Sequence, residues 1–180
     1  KESGLTIIDV QQKETRRSPY PPFITSTLQQ AAFRRFSYAG KRTMSLAQRL
    51  YEEGFITYHR TDSFNLSDVF IKSSREYIEK EYGKEYLSPE VKVFKTKAKS
   101  AQEAHEAIRP VNIESKKESI KRELGNDYAN LYDLIFRRAV ATQMSDAIFG
   151  STKLVGEIKK EKSYIFEASG SVMKFPGFLK

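Results

Sequence analysis

Alternation and helical spacing of apolar positions divide the chain into strand-like ends and a helical middle. Residues 5–12, Leu-Thr-Ile-Ile-Asp-Val-Gln-Gln, are β-branched and apolar and read as a strand. Charge takes over at 13–18, and Pro21-Pro22 forces an extended entry to the next element, so a boundary falls near residue 18. Thr25, Ser26 and Thr27 compete as N-caps; Ser26 with Gln29 and Thr27 with Gln30 both match the capping-box pattern, and a helix runs from there to about Phe36. Gly40 breaks it and Thr43 caps again. Leu46, Ala47, Leu50 and Tyr51 then share one face of a second helix, which Gly54 terminates before a short β-branched and aromatic segment. Two short helices, a Gly-containing turn and a strand-like segment fit either a helix-turn-helix with a wing or an ordinary αα-hairpin.

Further on, Asn65 or Ser67 caps a helix to about Tyr82 with Val69, Phe70, Tyr77 and Ile78 inward, and Gly83 stops it. Residues 84–100 are rich in Lys; within them 91–99 alternates as an edge strand guarded by lysines or as an extended arm that tracks phosphates. A short turn around His105 ends before Pro110. Residues 116–124 form a polar amphipathic helix. Asn126 or Asp127 caps a longer one, to about Ser145, with Leu131, Leu134, Ile135 and Val140 inward. Residues 151–159 and 163–169 alternate as a hairpin around Lys160-Glu161-Lys162, with a third strand from Val172. The expected fold is therefore mainly α with flanking β: a helical domain, 19–147, inserted between strands at 1–18 and 148–180 that pair as one incomplete antiparallel β domain.

Composition narrows the function. Over 180 residues, 39% hydrophobic and 12% aromatic content is enough for a core, while 30% charged residues and a mean hydropathy of -0.58 indicate a water-soluble chain. No apolar run approaches the ~20 residues of a membrane span. Zero Cys excludes disulfides, thiolate metal ligands and a Cys nucleophile and fits a reducing compartment, and two His leave little for a zinc site. A net charge of +8 and a pI near 9.5 favour a polyanionic partner. No segment pairs a basic face with an apolar one as an interfacial helix does, which favours nucleic acid over membrane. The chain starts at Lys1 without an initiator Met or signal-like segment and is expected to be a piece of a longer protein.

The chemistry concentrates at Tyr58-His59-Arg60. A phenol can take over a phosphoryl group, and a permanently charged guanidinium steadies the oxygens that gain charge. In an extended segment residues i and i+2 face the same way, so Tyr58 and Arg60 can address one phosphate. A free phenol has a pKa near ~10, so a nucleophilic tyrosine needs such help at neutral pH. Arg34, Arg35, Lys41, Arg42 and Arg109 are candidate backbone-phosphate contacts; taken singly each reads first as a solvated surface group, and together they give a salt-dependent affinity. Stacking of bases on Phe36 or Tyr38 is a further option.

Three longer strings carry a family resemblance: Leu50-Tyr51-Glu52-Glu53-Gly54-Phe55-Ile56-Thr57-Tyr58-His59-Arg60-Thr61-Asp62-Ser63, Pro21-Pro22-Phe23-Ile24-Thr25-Ser26-Thr27-Leu28-Gln29-Gln30, and Ala101-Gln102-Glu103-Ala104-His105-Glu106-Ala107-Ile108-Arg109-Pro110. In order and spacing they resemble the active-site tyrosine domain of the type IA DNA topoisomerases, with wording nearest the bacterial topoisomerase I branch; topoisomerase III and reverse gyrase remain alternatives. The resemblance implies a CAP-like fold and Tyr58 as the nucleophile that forms a 5′-phosphotyrosine link. It implies Arg60 and His105 as catalytic partners that also touch DNA, with Asp62 and Glu106 behind them. It also implies single-stranded or underwound DNA as partner, relaxation of negative supercoils without ATP, and a cytoplasmic, nucleoid location. Mg²⁺ would be held by a TOPRIM domain absent from this chain, leaving the chain alone inactive, with no metal of its own. A non-catalytic winged-helix DNA-binding module, in which Tyr58 only packs, is the reading from another class.

Overall fold

The structure, a computed structural model, describes residues 4–94 and 105–180. It is α+β, and the chain divides into two compact units: Lys1–Ser18 with Asp146–Lys180, and Pro19–Ser145.

The first unit is a three-stranded antiparallel sheet of β1 (Thr6–Arg17), β2 (Ala147–Lys159) and β3 (Ser163–Phe175), in that order. Strands from the two ends of the chain therefore pair across the intervening helical sequence, Thr6 opposite Glu157 and Arg17 opposite Ala147. β1 runs five residues beyond the expected Gln12. The charged residues 13–17 stay in the ladder because the strand is exposed along nearly its whole length, so alternation of charge costs nothing there. β3 is also one strand rather than two. Val172 continues it opposite Gly150, and the turn at 160–162 is the hairpin the alternation predicts. The Ser18 hydroxyl donates to the Asp146 carboxylate at 3.0 Å where the two ends of the unit meet.

The second unit contains α1 (Thr25–Phe36), α2 (Gly40–Glu52), α3 (Asp68–Tyr82), α4 (Lys117–Leu124) and α5 (Asn126–Ala141). Its core joins Leu28 and Ala32 of α1, Leu46, Ala47 and Leu50 of α2, and Leu131, Tyr132 and Ile135 of α5 to Phe23, Ile56 and Ile108. Several ends differ from the capping expectation. α1 starts at Thr25 with Ile24 as N-cap, where Thr27 reaches back to accept the Ile24 N–H at 3.1 Å; Ser26 and Thr27 therefore lie inside the first turn rather than at the cap position that a box with Gln29 or Gln30 requires. Gly40 opens α2 rather than breaking a helix, the turn being made by Ser37 at φ 59°, and the Thr43 hydroxyl bonds back to the Ala39 carbonyl at 3.2 Å. α5 begins after Gly125, at φ 104°, and ends at Ala141, four residues short of Ser145, in a turn over 142–144. Val69 is 81% exposed; the buried stripe of α3 is Phe70, Ser74 and Ile78. Val91–Phe94 form no strand, and 95–99 lie outside the described residues.

The end of α2 decides where the next segment goes. Gly54 at φ 74° donates to Tyr51 O at 2.9 Å, and Phe55 donates to Leu50 O at 2.9 Å. This pair of bonds is a Schellman cap, which needs a left-handed residue and hence glycine. It turns the chain sharply out of the helix four residues before Tyr58.

Candidate active site

Segment 55–63 leaves the capped end of α2 and is held from both sides by two threonine hydroxyls. On one side Ile56 bridges Pro110, and Thr57 N–H donates to Arg109 O at 2.9 Å. The Thr57 hydroxyl donates to Ala107 O at 2.7 Å and accepts the Arg109 N–H at 3.0 Å. On the other side the Thr25 hydroxyl, at the start of α1, donates to His59 O at 2.8 Å and Thr61 O at 3.1 Å and accepts the Thr61 N–H at 3.0 Å. A hydroxyl that both donates and accepts fastens a loop much as one rung of a sheet does. Tyr58 sits between the two fasteners.

Burial along this segment alternates residue by residue. Tyr58, Arg60 and Asp62 are exposed, Tyr58 at 47%, while His59 at 0%, Thr61 at 8% and Ser63 at 0% are buried. Residues 58–63 form no ladder and the backbone bends at His59 and Arg60, so what alternates here is exposure. The Tyr58 phenol and the Arg60 side chain are both exposed to solvent. The Tyr58 ring meets Tyr51 edge-on at a centroid distance of 5.2 Å and His59 at 5.2 Å. Burial, reinforced by the Arg60 charge, pushes the His59 imidazole below its ordinary pKa against a weaker pull from Glu52, so the ring is neutral near pH 7.

The other candidates divide between surface and scaffold. His105 is exposed at the start of the strap 105–110, whose Ala107 and Ile108 are buried; residues 101–104 of its block lie outside the described residues. That strap is extended rather than helical, bonding through Ala107 N–H to Asn65 O and Ile108 N–H to Phe23 O, each at 2.8 Å. It ties the His105 block to the Tyr58 segment through Ala107 and Thr57. Glu106 accepts the Ser67 N–H at 2.8 Å at the start of α3 and pairs with Arg109 at 2.6 Å. Burial alone would raise its carboxyl pKa, but the Ser67 bonds and the Arg109 charge outweigh it and hold the group below the usual carboxylate range.

Arg109, expected among the phosphate contacts, spends its guanidinium inward, on Glu106, on Pro110 O at 2.9 Å and over the Phe70 ring at 5.0 Å, with 13% of its side chain exposed. Arg42 is engaged as well, bonding Asp127 and lying 4.8 Å over the Tyr38 ring. Tyr38 itself is 7% exposed and donates to Asp127 at 2.6 Å, which removes it as a stacking surface. Lys41, Arg34 and Arg35 stay at the surface. Thr25, Thr57, Tyr51 and His59 carry the site's geometry without having been candidates. Hydroxyl clasps between segments 34 to 52 residues apart leave no trace in local spacing, and no sequence pattern singled out His59 for burial.

A family model described as DNA topoisomerase matches residues 1–180. The chain belongs to the DNA topoisomerase family. It is 46% identical over 178 residues to DNA topoisomerase 1 of Mycobacterium leprae, covering 98% of this chain and 19% of that protein. To DNA topoisomerase 1 of Rickettsia felis it is 42% identical, over 100% of this chain and 24% of that one. The full-length topoisomerase I structure from Thermotoga maritima superposes with a TM-score of 0.83 at 32% identity, over 98% of this chain and 29% of that one. The chain thus spans about a fifth to a quarter of the length of these curated relatives. Among the described residues no helix is long and apolar enough to cross a membrane.

Proposed function

We propose that this chain supplies the nucleophile of a type IA DNA topoisomerase of the bacterial topoisomerase I branch. The observation that carries the reading is the alternation of exposure at 58–63, which leaves Tyr58 and Arg60 both open to solvent in a segment fastened at both ends. Tyr58 Oη attacks a backbone phosphorus of an unpaired strand. A new O–P bond forms to the tyrosine, the bond to the 3′-oxygen breaks, and the departing 3′-hydroxyl takes up a proton. Arg60 stabilises the charge that accumulates on the non-bridging oxygens, an effect typically worth about 3 kcal/mol for one well-placed donor. His105 is assigned to the same strand, with Asp62 supporting Arg60. Lys41, Arg34 and Arg35 are the remaining basic candidates for contact with backbone phosphates.

One phosphodiester replaces another, so attack by the 3′-hydroxyl on the phosphotyrosine reverses the step without ATP. Supercoiling strain in the DNA drives relaxation. α1, α2 and the segment after them are read as the helix-turn-helix and wing of a CAP-like domain inserted in the β unit. Mg²⁺ is assigned to a TOPRIM domain elsewhere in the longer protein; among the described residues of this chain no group of three or more His, Cys, Asp or Glu side chains could hold a metal ion.

The test uses the full-length enzyme with Mg²⁺ and an end-labelled single-stranded oligonucleotide, and looks for a covalent adduct. Tyr58→Phe is expected to abolish it while oligonucleotide binding persists. The 180-residue chain alone should relax no supercoiled plasmid. An adduct that survives in Tyr58→Phe, or maps to another tyrosine, overturns the assignment in favour of a tyrosine that only packs.

A further inference from the structure

The residue between the proposed nucleophile and its arginine has no part in the chemistry above. His59 is fully buried, and among the described residues neither of its imidazole nitrogens has a hydrogen-bond partner. A buried polar group without a partner is costly, and at a functional site it calls for a reason. Its surroundings are aromatic. The imidazole centroid lies 5.2 Å from the Tyr58 ring at 67° and 6.0 Å from the Tyr51 ring at 51°, while Tyr51 meets Tyr58 at 5.2 Å and 64°.

The three rings close a triangle. Tyr51 at 41% and Tyr58 at 47% exposure form its open edge, and His59 is its buried floor. Below, the His59 backbone is pinned by the Thr25 hydroxyl at 2.8 Å. A phenol ring flanked on two sides by edge-to-face neighbours has few rotamers left, which is the condition for meeting a phosphate in line.

We propose that His59 is a positioning residue for Tyr58: as a neutral imidazole it is the floor that sets the phenol toward the scissile phosphate, and a proton taken up there unseats it. This rests on the reading of Tyr58 as nucleophile. The charged groups facing the imidazole are Arg60 on its own segment and Glu52 at the end of α2; α1 brings only the uncharged Thr25 hydroxyl to its backbone. An imidazolium in this place would be stripped of water, beside a like charge and with no acceptor for its N–H groups. Charging it therefore requires the triangle to open, and cleavage should fall at acid pH for that reason.

The experiment measures single-turnover cleavage of a single-stranded oligonucleotide by the full-length enzyme with Mg²⁺, together with oligonucleotide affinity, from about pH 5 to 8. His59→Phe retains a ring that takes no proton. At neutral pH it should cleave within about threefold of wild type, and it should lose the part of the acid fall that belongs to His59. His59→Ala removes the floor and should cut the cleavage rate by roughly ten- to a hundredfold, with oligonucleotide affinity held within about twofold. An acid fall identical in wild type and His59→Phe overturns the proposal, as does a wild-type rate in His59→Ala. If thermal unfolding shows that His59→Ala does not fold, the His59→Phe profile decides alone. An adduct in Tyr58→Phe would instead overturn the nucleophile assignment on which this rests.

Discussion

The helical unit and the sheet are held together by different means. Residues Pro19–Ser145 close around a continuous cluster of fully buried side chains drawn from α1, α2, α4 and α5. The sheet has long ladders and almost no interior. β1 is exposed at every position except Thr15, β3 at every position except Phe175, and only Ala147 and Gly156 of β2 are buried. Apolar side chains such as Ile7, Ile165, Phe166 and Val172 stand in solvent on these strands. Backbone pairing fixes register in the sheet, whereas side-chain burial fixes position in the helical unit. A site that must hold a phenol to within an ångström needs the second kind of order.

The largest test of this contrast compares one methyl-branched side chain in each unit. Ile135→Ala, at 0% exposure in α5, should destabilise the helical unit by about 2–5 kcal/mol, because a transfer loss and a cavity add. Ile165→Ala, at 56% exposure in β3, should change stability by less than about 0.5 kcal/mol. Urea unfolding of both variants checks the pair; equal losses would end the distinction.

A smaller effect is expected where the clasps are cut. Thr25→Val keeps the shape and removes the hydroxyl, leaving the His59 carbonyl and the Thr61 N–H short of a partner while the Thr61 carbonyl keeps the Thr25 backbone N–H, at a cost of about 1–3 kcal/mol. The same change should slow adduct formation more than it weakens oligonucleotide binding; a change in binding alone would mean that the clasp does not place Tyr58. Next comes Gly54→Ala, which puts a Cβ on a residue at φ 74° and should cost about 1–2 kcal/mol in thermal unfolding. Wild-type stability in that variant would show that the α2 cap tolerates a right-handed replacement.

The smallest effect is in acid. The Glu106 carboxyl has its pKa lowered by folding, so its contribution is fully present above the ordinary carboxylate range and is lost as pH falls through the lowered value. Glu106→Gln should therefore flatten the acid end of the stability profile. An unchanged slope would remove the Ser67–Glu106–Arg109 link from the forces that hold the strap.

Much of this was legible along the chain. Helical spacing at Leu46, Ala47, Leu50 and the glycine at 54 located α2 and its end, since both are local properties of 3.6-residue geometry and a left-handed cap. Alternation agrees with the exposure of both Tyr58 and Arg60, while the full burial of His59 between them became visible only in the structure. Pairing of the two ends into one sheet was also within reach, because strands without a partner on either side have only each other.

The order of residues left open which side chains are free. Arg42, Tyr38 and Arg109 look like surface contacts in a one-dimensional string, and Asp127, 85 residues from Arg42, claims the first two, while Glu106 and Phe70 claim the third. Thr25, one of three cap candidates in the string, spends its hydroxyl instead on the carbonyls at 59 and 61. Local pattern decides where an element can form; which hydrogen-bonding group is spent, and which cation is left for a phosphate, is decided only when distant segments meet and desolvate one another.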